Sequence, residues 1–222
     1  MTASTSAYPT RWLLGRYDYP VSHRVLEVAS LGAFTALFVV IAGDVVGAFR
    51  GGLSWTTAVG STIAVVLAFA VGDLLSGVVH FLFDQYGSPA TPVIGQKFVK
   101  PFRDHHDDPM AMTHGDLIAV NSDNLLVCLP VLAVAVFAVD LPRHAVVGVF
   151  VLALVVGVAL TNQFHKWAHM PEVPRMVRVA QRRGLILSVE HHHQHHLAPF
   201  DRHYCITFGR MDVLLDRLTR RR

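Results

Sequence analysis

Charge is scarce in this sequence. Lys, Arg, Asp and Glu make up 16% of its 222 residues, while 52% are hydrophobic and the mean hydropathy is +0.42. Soluble domains carry about 25% charged residues, so an ordinary water-facing surface is excluded and a lipid-facing one is expected. Cysteine is scarcer still. Cys128 and Cys205 are the only two, far apart and in no C-x-x-C arrangement, which excludes a disulfide framework and a zinc knuckle. There is no internal repeat and no low-complexity linker. A cleavable signal peptide is not expected, because the first apolar stretch is too long and lacks a cleavage site. The net charge of +3 is concentrated at one end, where Arg217, Arg220, Arg221 and Arg222 cluster. A basic tail beside apolar spans suits anionic lipid headgroups sooner than nucleic acid.

What is abundant is apolar sequence. Four long stretches run roughly over 25–49, 56–79, 125–141 and 145–164, the third at the short limit and open to extension back toward Asn121. A helix needs about 20 apolar residues to cross the hydrocarbon core, and in lipid the backbone must satisfy its own hydrogen bonds. These stretches therefore predict four transmembrane helices in an all-α, multi-pass membrane protein, one domain over residues 1–222. Pro142 fits the turn between the last two. Lys and Arg distribute as 3, 1, 3, 1 and 11 over the five segments outside the spans. The positive-inside rule then places both termini and the central loop in the cytoplasm. The membrane would be the cell membrane of a bacterium or the endoplasmic reticulum of a eukaryote. After the fourth span, Val173, Met176, Val177 and Ala180 recur at helical spacing, with Arg175, Arg178 and Arg182 on another face. That pattern fits a helix lying in the membrane plane and equally a short helix packed on the protein's own cytoplasmic face.

Histidine is also abundant, with 14 residues. On this topology 13 of them fall on the cytoplasmic side and only His144 lies opposite, so the histidines would form a cap at one face of the bilayer. Their spacings suit metal ligands. His80 ends the second span, two helical turns after Asp73, so both share a face. His105 and His106 sit in Pro101-Phe-Arg-Asp-His-His-Asp-Asp-Pro109. His165 and His169 are four apart, on one helical face. In Glu190-His-His-His-Gln-His-His196, His191 pairs with His195 and His192 with His196 at the same spacing. A lone histidine at a membrane boundary is ordinarily a hydrogen-bonded interfacial residue, and His23, His144 and His203 are read that way. His114 and His193 are assigned no ligand role. A single zinc site uses three or four protein ligands, so eight or nine converging candidates imply two ions. Imidazole suits iron and zinc alike, and spacing does not choose between them.

These motifs resemble the plasmanylethanolamine desaturase family, the membrane enzymes that form the vinyl ether of plasmalogens. The resemblance runs from Asp73-Leu-Leu-Ser-Gly-Val-Val-His80 through 101–109, Asn121-Ser-Asp-Asn124 and Thr161-Asn-Gln-Phe-His-Lys-Trp-Ala-His169. It continues through His191-His-x-x-His-His196 and Tyr204-Cys-Ile-Thr207, covering about 73–209. A sister branch, the plastid type that desaturates an acyl chain of phosphatidylglycerol, is similar around His192-x-x-His-His196. The doubled His191-His192, the Asn121-x-Asp-Asn124 and the Thr-Asn-Gln before His165 lean toward the ether-lipid branch. This chain departs from the family in having His114-Gly115-Asp116 for Arg-His-Asp, and in His193.

The resemblance implies an oxidoreductase with two irons that uses O₂ to desaturate a membrane phospholipid. It implies metal ligation by His80, His105, His106, His165, His169, His192, His195 and His196, with His191 as a ninth ligand or a supporting donor. Ligating imidazoles commonly donate their other N–H to a carboxylate or carbonyl; Asp73, Asp104, Asn162, Asp123 and Asn124 are the candidates for that role. Asp73 lies within a span, where an ionisable residue is costly and usually paired. Reducing O₂ requires outside electrons. The chain has no G-x-G-x-x-G fingerprint and no recognisable haem or iron–sulfur motif, so a cytochrome b5-like or ferredoxin-type donor is expected. Alternatives are an acyl desaturase or hydroxylase on the same irons, a zinc-dependent membrane hydrolase, and a metal carrier.

Overall fold

The computed structural model describes residues 21–92 and 94–219. Arg11, Arg16, Arg220, Arg221 and Arg222, on which part of the orientation argument rests, lie outside the described residues, as does the side chain of Lys97. Four helices dominate: α1 (Val21–Phe49), α2 (Trp55–Gln85), α4 (Leu117–Ala138) and α5 (Ala145–His169). Each is long and apolar enough to cross a membrane. At 1.5 Å per residue even the shortest spans about 33 Å, against a hydrocarbon core of about 30 Å. Among the described residues there is no β-strand.

The bundle is inverted relative to a soluble one. Apolar residues face outward as freely as inward: Phe137 is 81% exposed and Val66 63%, while Ile41 and Leu132 are fully buried. Only lipid makes such a surface inexpensive. α5 is central, packing against α1, α2 and α4. Small residues set how closely the helices approach. A Cβ on Gly148 of α5 would lie 2.4 Å from Val45 Cγ2 of α1.

Apolar length does not mark where these helices stop. α2 continues to Gln85 and α5 to His169, one or two turns beyond the apolar stretches, and these extra turns carry His80, Asp84, His165 and His169. α4 begins at Leu117 and ends at Ala138, so the span expected at 125–141 is shifted toward the N-terminus. The cause is local. Asp116 accepts the Ala119 backbone N–H at 2.8 Å and starts the helix, and the polar Asn121, Asp123 and Asn124 turn into the protein.

Four shorter α-helices crowd the same end of the bundle among the described residues: α3 (Lys100–Asp107), α6 (Arg175–Arg182), α7 (Val189–His195) and α8 (Asp212–Thr219). α6 docks through buried Gln181, which donates to the Trp167 carbonyl, and leaves Met176 exposed. The segment between α7 and α8 is stitched to α2. Ser76 Oγ accepts from Ile206 N–H, and fully buried Asp73 accepts four backbone N–H groups, from Phe208, Gly209, Arg210 and Met211. Close approach here needs Gly77. A Cβ on it would lie 2.5 Å from Cys205 Sγ and 3.1 Å from Cys205 N. Gly77→Ala is therefore expected to cost about 1–3 kcal/mol by overpacking, read as a lower melting temperature in detergent. Gly60→Ala, whose Cβ would meet only Val146 at 3.6 Å, should not lower it.

Candidate metal centre

Four segments bring their histidines to one point. The end of α2 supplies His80, α3 supplies His105 and His106, the end of α5 supplies His165 and His169, and α7 with the residue after it supplies His192, His195 and His196. α7 starts where Ser188 accepts the His191 N–H at 3.1 Å. That start sets the helical phase, so His192 and His195 are buried and His193 is exposed.

The eight rings fall into two sets that share His105: His105, His165, His169, His192 and His196, and His80, His105, His106 and His195. In the first set, Nε2 atoms face one another, 2.8 Å apart for His165 and His192, 2.9 Å for His192 and His169, and 3.1 Å for His165 and His169. His196 Nε2 adds a fourth, 3.1 Å from His192 Nε2. Each neutral ring carries a single N–H, so a cluster of this kind cannot satisfy itself by hydrogen bonding. A tetrahedral ion with metal–nitrogen bonds of 2.0–2.1 Å separates its ligands by about 3.4 Å, close to what is seen.

The second set surrounds a carboxylate. Asp84 Oδ2 lies 3.0 Å from His106 Nε2 and 3.3 Å from both His80 Nε2 and His195 Nε2. Asp84 Oδ1 and the Nε2 atoms of His80, His105 and His195 are closed off from solvent and make no hydrogen bond. Buried lone pairs aimed at common points, without partners, fit metal ions. The other faces of three rings are held from behind. The Nδ1–H groups of His80 and His195 donate to the carbonyls of Tyr204 at 3.0 Å and Arg202 at 2.8 Å, and that of His105 donates to the Phe102 carbonyl. Burial, followed by the neighbouring imidazoles, pushes the pKa of His105 and His192 well below the ordinary histidine value and that of His196 down to about 2. These three rings are thus neutral, the form that ligates metal.

The remaining nominated residues lie elsewhere. His191 joins neither set, although it is four residues from His195. In the first turn of α7 the helix directs it outward, and its Nε2 lies 2.6 Å from Asp212 Oδ2. Of the groups expected to support the histidines from behind, Asp73 instead holds the turn before α8, and Asp104 is exposed and paired with Lys100. Asn162 donates to the Val120 carbonyl, tying α5 to α4. Asn162, Asp123 and Asn124 line a cavity of about 510 Å³ between α2, α4 and α5. Backbone carbonyls take the supporting role. Asp84 was missed by sequence reasoning, yet it stands four residues after His80, on the same helical face.

The cavity adjoins the histidines. Phe102, which lines it, packs its ring 5.2 Å from that of His80. Its other walls are mostly apolar, from Val79 and Phe83 near the histidine end to Gly72, Val131 and Leu154 deeper along the helices.

The model of the lipid desaturase domain matches residues 69–220. The plasmanylethanolamine desaturase of Myxococcus xanthus is 37% identical, over 87% of this chain and 68% of its own length. Plasmanylethanolamine desaturase 1 of Mus musculus is 40% identical over 69% of this chain, and the chloroplastic fatty acid desaturase 4 of Arabidopsis thaliana 34% over 88%. The chain spans 59% and 58% of the length of these two relatives. No solved structure matches it. The matched region contains all eight converging histidines, Asp84 and the cavity, and the chain belongs to the lipid desaturase family.

Proposed function

We propose that this protein is an O₂-dependent membrane desaturase that converts the alkyl ether of a plasmanyl phospholipid to the vinyl ether of a plasmalogen. The observation that carries this reading is the apolar cavity that runs from the two histidine sets into the helix bundle. The recess would bring a lipid chain alongside the histidine sets, where an alkyl carbon rather than an ester would meet them. Two irons in the two sets would supply an oxidant strong enough to remove hydrogen from an unactivated CH₂–CH₂ unit, which no side chain can do. The balance is R–CH₂–CH₂–OR′ + O₂ + 2 e⁻ + 2 H⁺ giving R–CH=CH–OR′ + 2 H₂O.

This chain's residues provide position and exclusion. His80, His106 and His195 with Asp84 would hold one iron, His165, His169, His192 and His196 the other, and His105 would stand between them. The carbonyls of Phe102, Arg202 and Tyr204 keep the rings aimed. The apolar walls take the alkyl chain and keep water from it. The polar wall groups Asp123, Asn124 and Asn162 sit toward the histidine end, where the ether oxygen and glycerol of a bound lipid would lie. The two electrons come from a cytochrome b5-like or ferredoxin-type partner, and the histidine cap faces the cytoplasm, where such donors are found. Two of the named relatives carry the plasmanyl specificity in their names; the acyl-chain alternative rests on the plant relative.

The test is lipid mass spectrometry of a plasmalogen-free host that expresses the protein and is fed an alkyl-ether phospholipid. The expected product is lighter by two hydrogens, forms only with O₂, and breaks down in acid to an aldehyde. An acid-stable acyl alkene would move the substrate to the acyl branch, and a hydroxylated lipid would overturn the reaction type.

A further inference from the structure

His191, excluded from the buried centre, is part of another cluster. His191, His203 and Asp212 present their ligand atoms within 4.8 Å of one another on the outer flank of the cap. The His191 and His203 rings lie 4.5 Å apart between centroids. Asp212 Oδ2 is 2.6 Å from His191 Nε2 and 3.9 Å from His203 Nδ1, and Asp216 Oδ2 is also 3.9 Å from His203 Nδ1. These separations bracket the roughly 3.4 Å between ligands of a tetrahedral ion.

We propose that His191, His203 and Asp212, with Asp216 beside them, form a third metal site that takes a zinc-type divalent ion. Two imidazoles and a carboxylate are a donor set suited to such an ion. Each ligand is held in place. His203 Nδ1 is closed off from solvent and makes no hydrogen bond. Its backbone is fixed at φ 59° in the left-handed region, with its N–H donating to Asp216 Oδ1 at 3.0 Å. That conformation costs energy in a residue other than glycine, and such strain is retained where the surroundings impose it. Asp212 is buried and uses its other oxygen to accept the Cys205 N–H at 2.9 Å. Gly209 leaves room for the His191 ring, since a Cβ there would lie 2.6 Å from it. A cleft of about 240 Å³ beside these residues gives an ion access.

The site's role follows from what it joins. It ties α7 and α8 to the segment 202–205, whose Arg202 and Tyr204 carbonyls aim His195 and His80. An ion there would clamp the scaffold of the catalytic histidines without touching them. This inference does not depend on which lipid is desaturated.

The test uses the iron-loaded enzyme in detergent, titrated with zinc chloride, desalted and counted for both metals. Wild type is expected to gain about one zinc per chain with its iron unchanged, and to melt at a higher temperature. His203→Phe and His191→Gln should lose that zinc and keep the iron. Cobalt(II) added to iron-loaded wild type should give the visible bands of a low-symmetry nitrogen–oxygen site, a readout that needs no variant. No zinc gain in wild type, zinc gained only as iron is lost, no cobalt bands, or zinc retained by a variant that keeps its iron would each overturn the proposal.

Discussion

His195→Ala is expected to abolish turnover and to remove metal from the second histidine set, with activity falling by about 100-fold or more, the upper end of what loss of even a supporting contact costs a metal site. His195 is fully buried, its Nδ1–H is spent on the Arg202 carbonyl, and its Nε2 faces Asp84 with no hydrogen bond. That lone pair is placed to ligate an ion in the proposed centre. Asp84→Asn is the more discriminating companion. It keeps the volume but removes the negative charge that three imidazoles surround at 3.0–3.3 Å. It should lower iron content and turnover together, while the helices remain folded by circular dichroism. His144→Ala, at the far end of α5, should change neither. Full iron content in both His195→Ala and Asp84→Asn would end the two-ion assignment.

Asp73→Ala should be the most damaging substitution outside the metal centre. One carboxylate accepts four backbone N–H groups in the turn before α8, and it is fully buried inside α2. Removing it leaves four backbone donors of one turn without their acceptor, that of Gly209 fully buried and the others partly so. Breaking a buried charged network in this way costs about 3–5 kcal/mol, a large share of the 5–15 kcal/mol that holds a typical protein together. The expected readouts are a collapse in yield and melting temperature. Iron loss should follow, because the adjoining segment supplies the Tyr204 carbonyl behind His80. Asp73→Asn keeps one acceptor oxygen and should fall between. A variant that melts normally and loses only iron would instead place Asp73 at the centre itself.

Much of this was readable from periodicity. The four-residue pairs His165/His169 and His192/His196 meet as helical geometry requires, and four apolar stretches are four helices. What was hidden depended on contacts remote in sequence or on small changes of phase. Asp73 looked like a partner for His80 because both lie on one face of α2, but its true partners are 135 to 138 residues away. Asp84 was passed over because it lies beyond the apolar stretch, in turns that hydropathy does not count as helix. His191 and His195 share a spacing with His192 and His196, yet on so short a helix the position of the Ser188 cap decides which histidines face inward, and His192, His195 and His196 do while His191 does not. Backbone carbonyls, which aim three of the rings, leave no mark in a sequence.

The centre draws its ligands from four stretches of chain that are otherwise separate. If the two sets hold ions as proposed, those ions would link α2, α3, α5 and α7 across intervals of tens of residues, adding to the hydrogen bonds that already tie the cap to α2. Each such bridge removes the closure entropy of a long loop. On that reading, maturation would divide into two stages under different control, first insertion, governed by lipid and translocation, and then loading, governed by metal supply. A cell short of that metal would hold inserted protein whose cap lacks this reinforcement, to be completed when metal returns, so that desaturase output would follow metal supply without new synthesis.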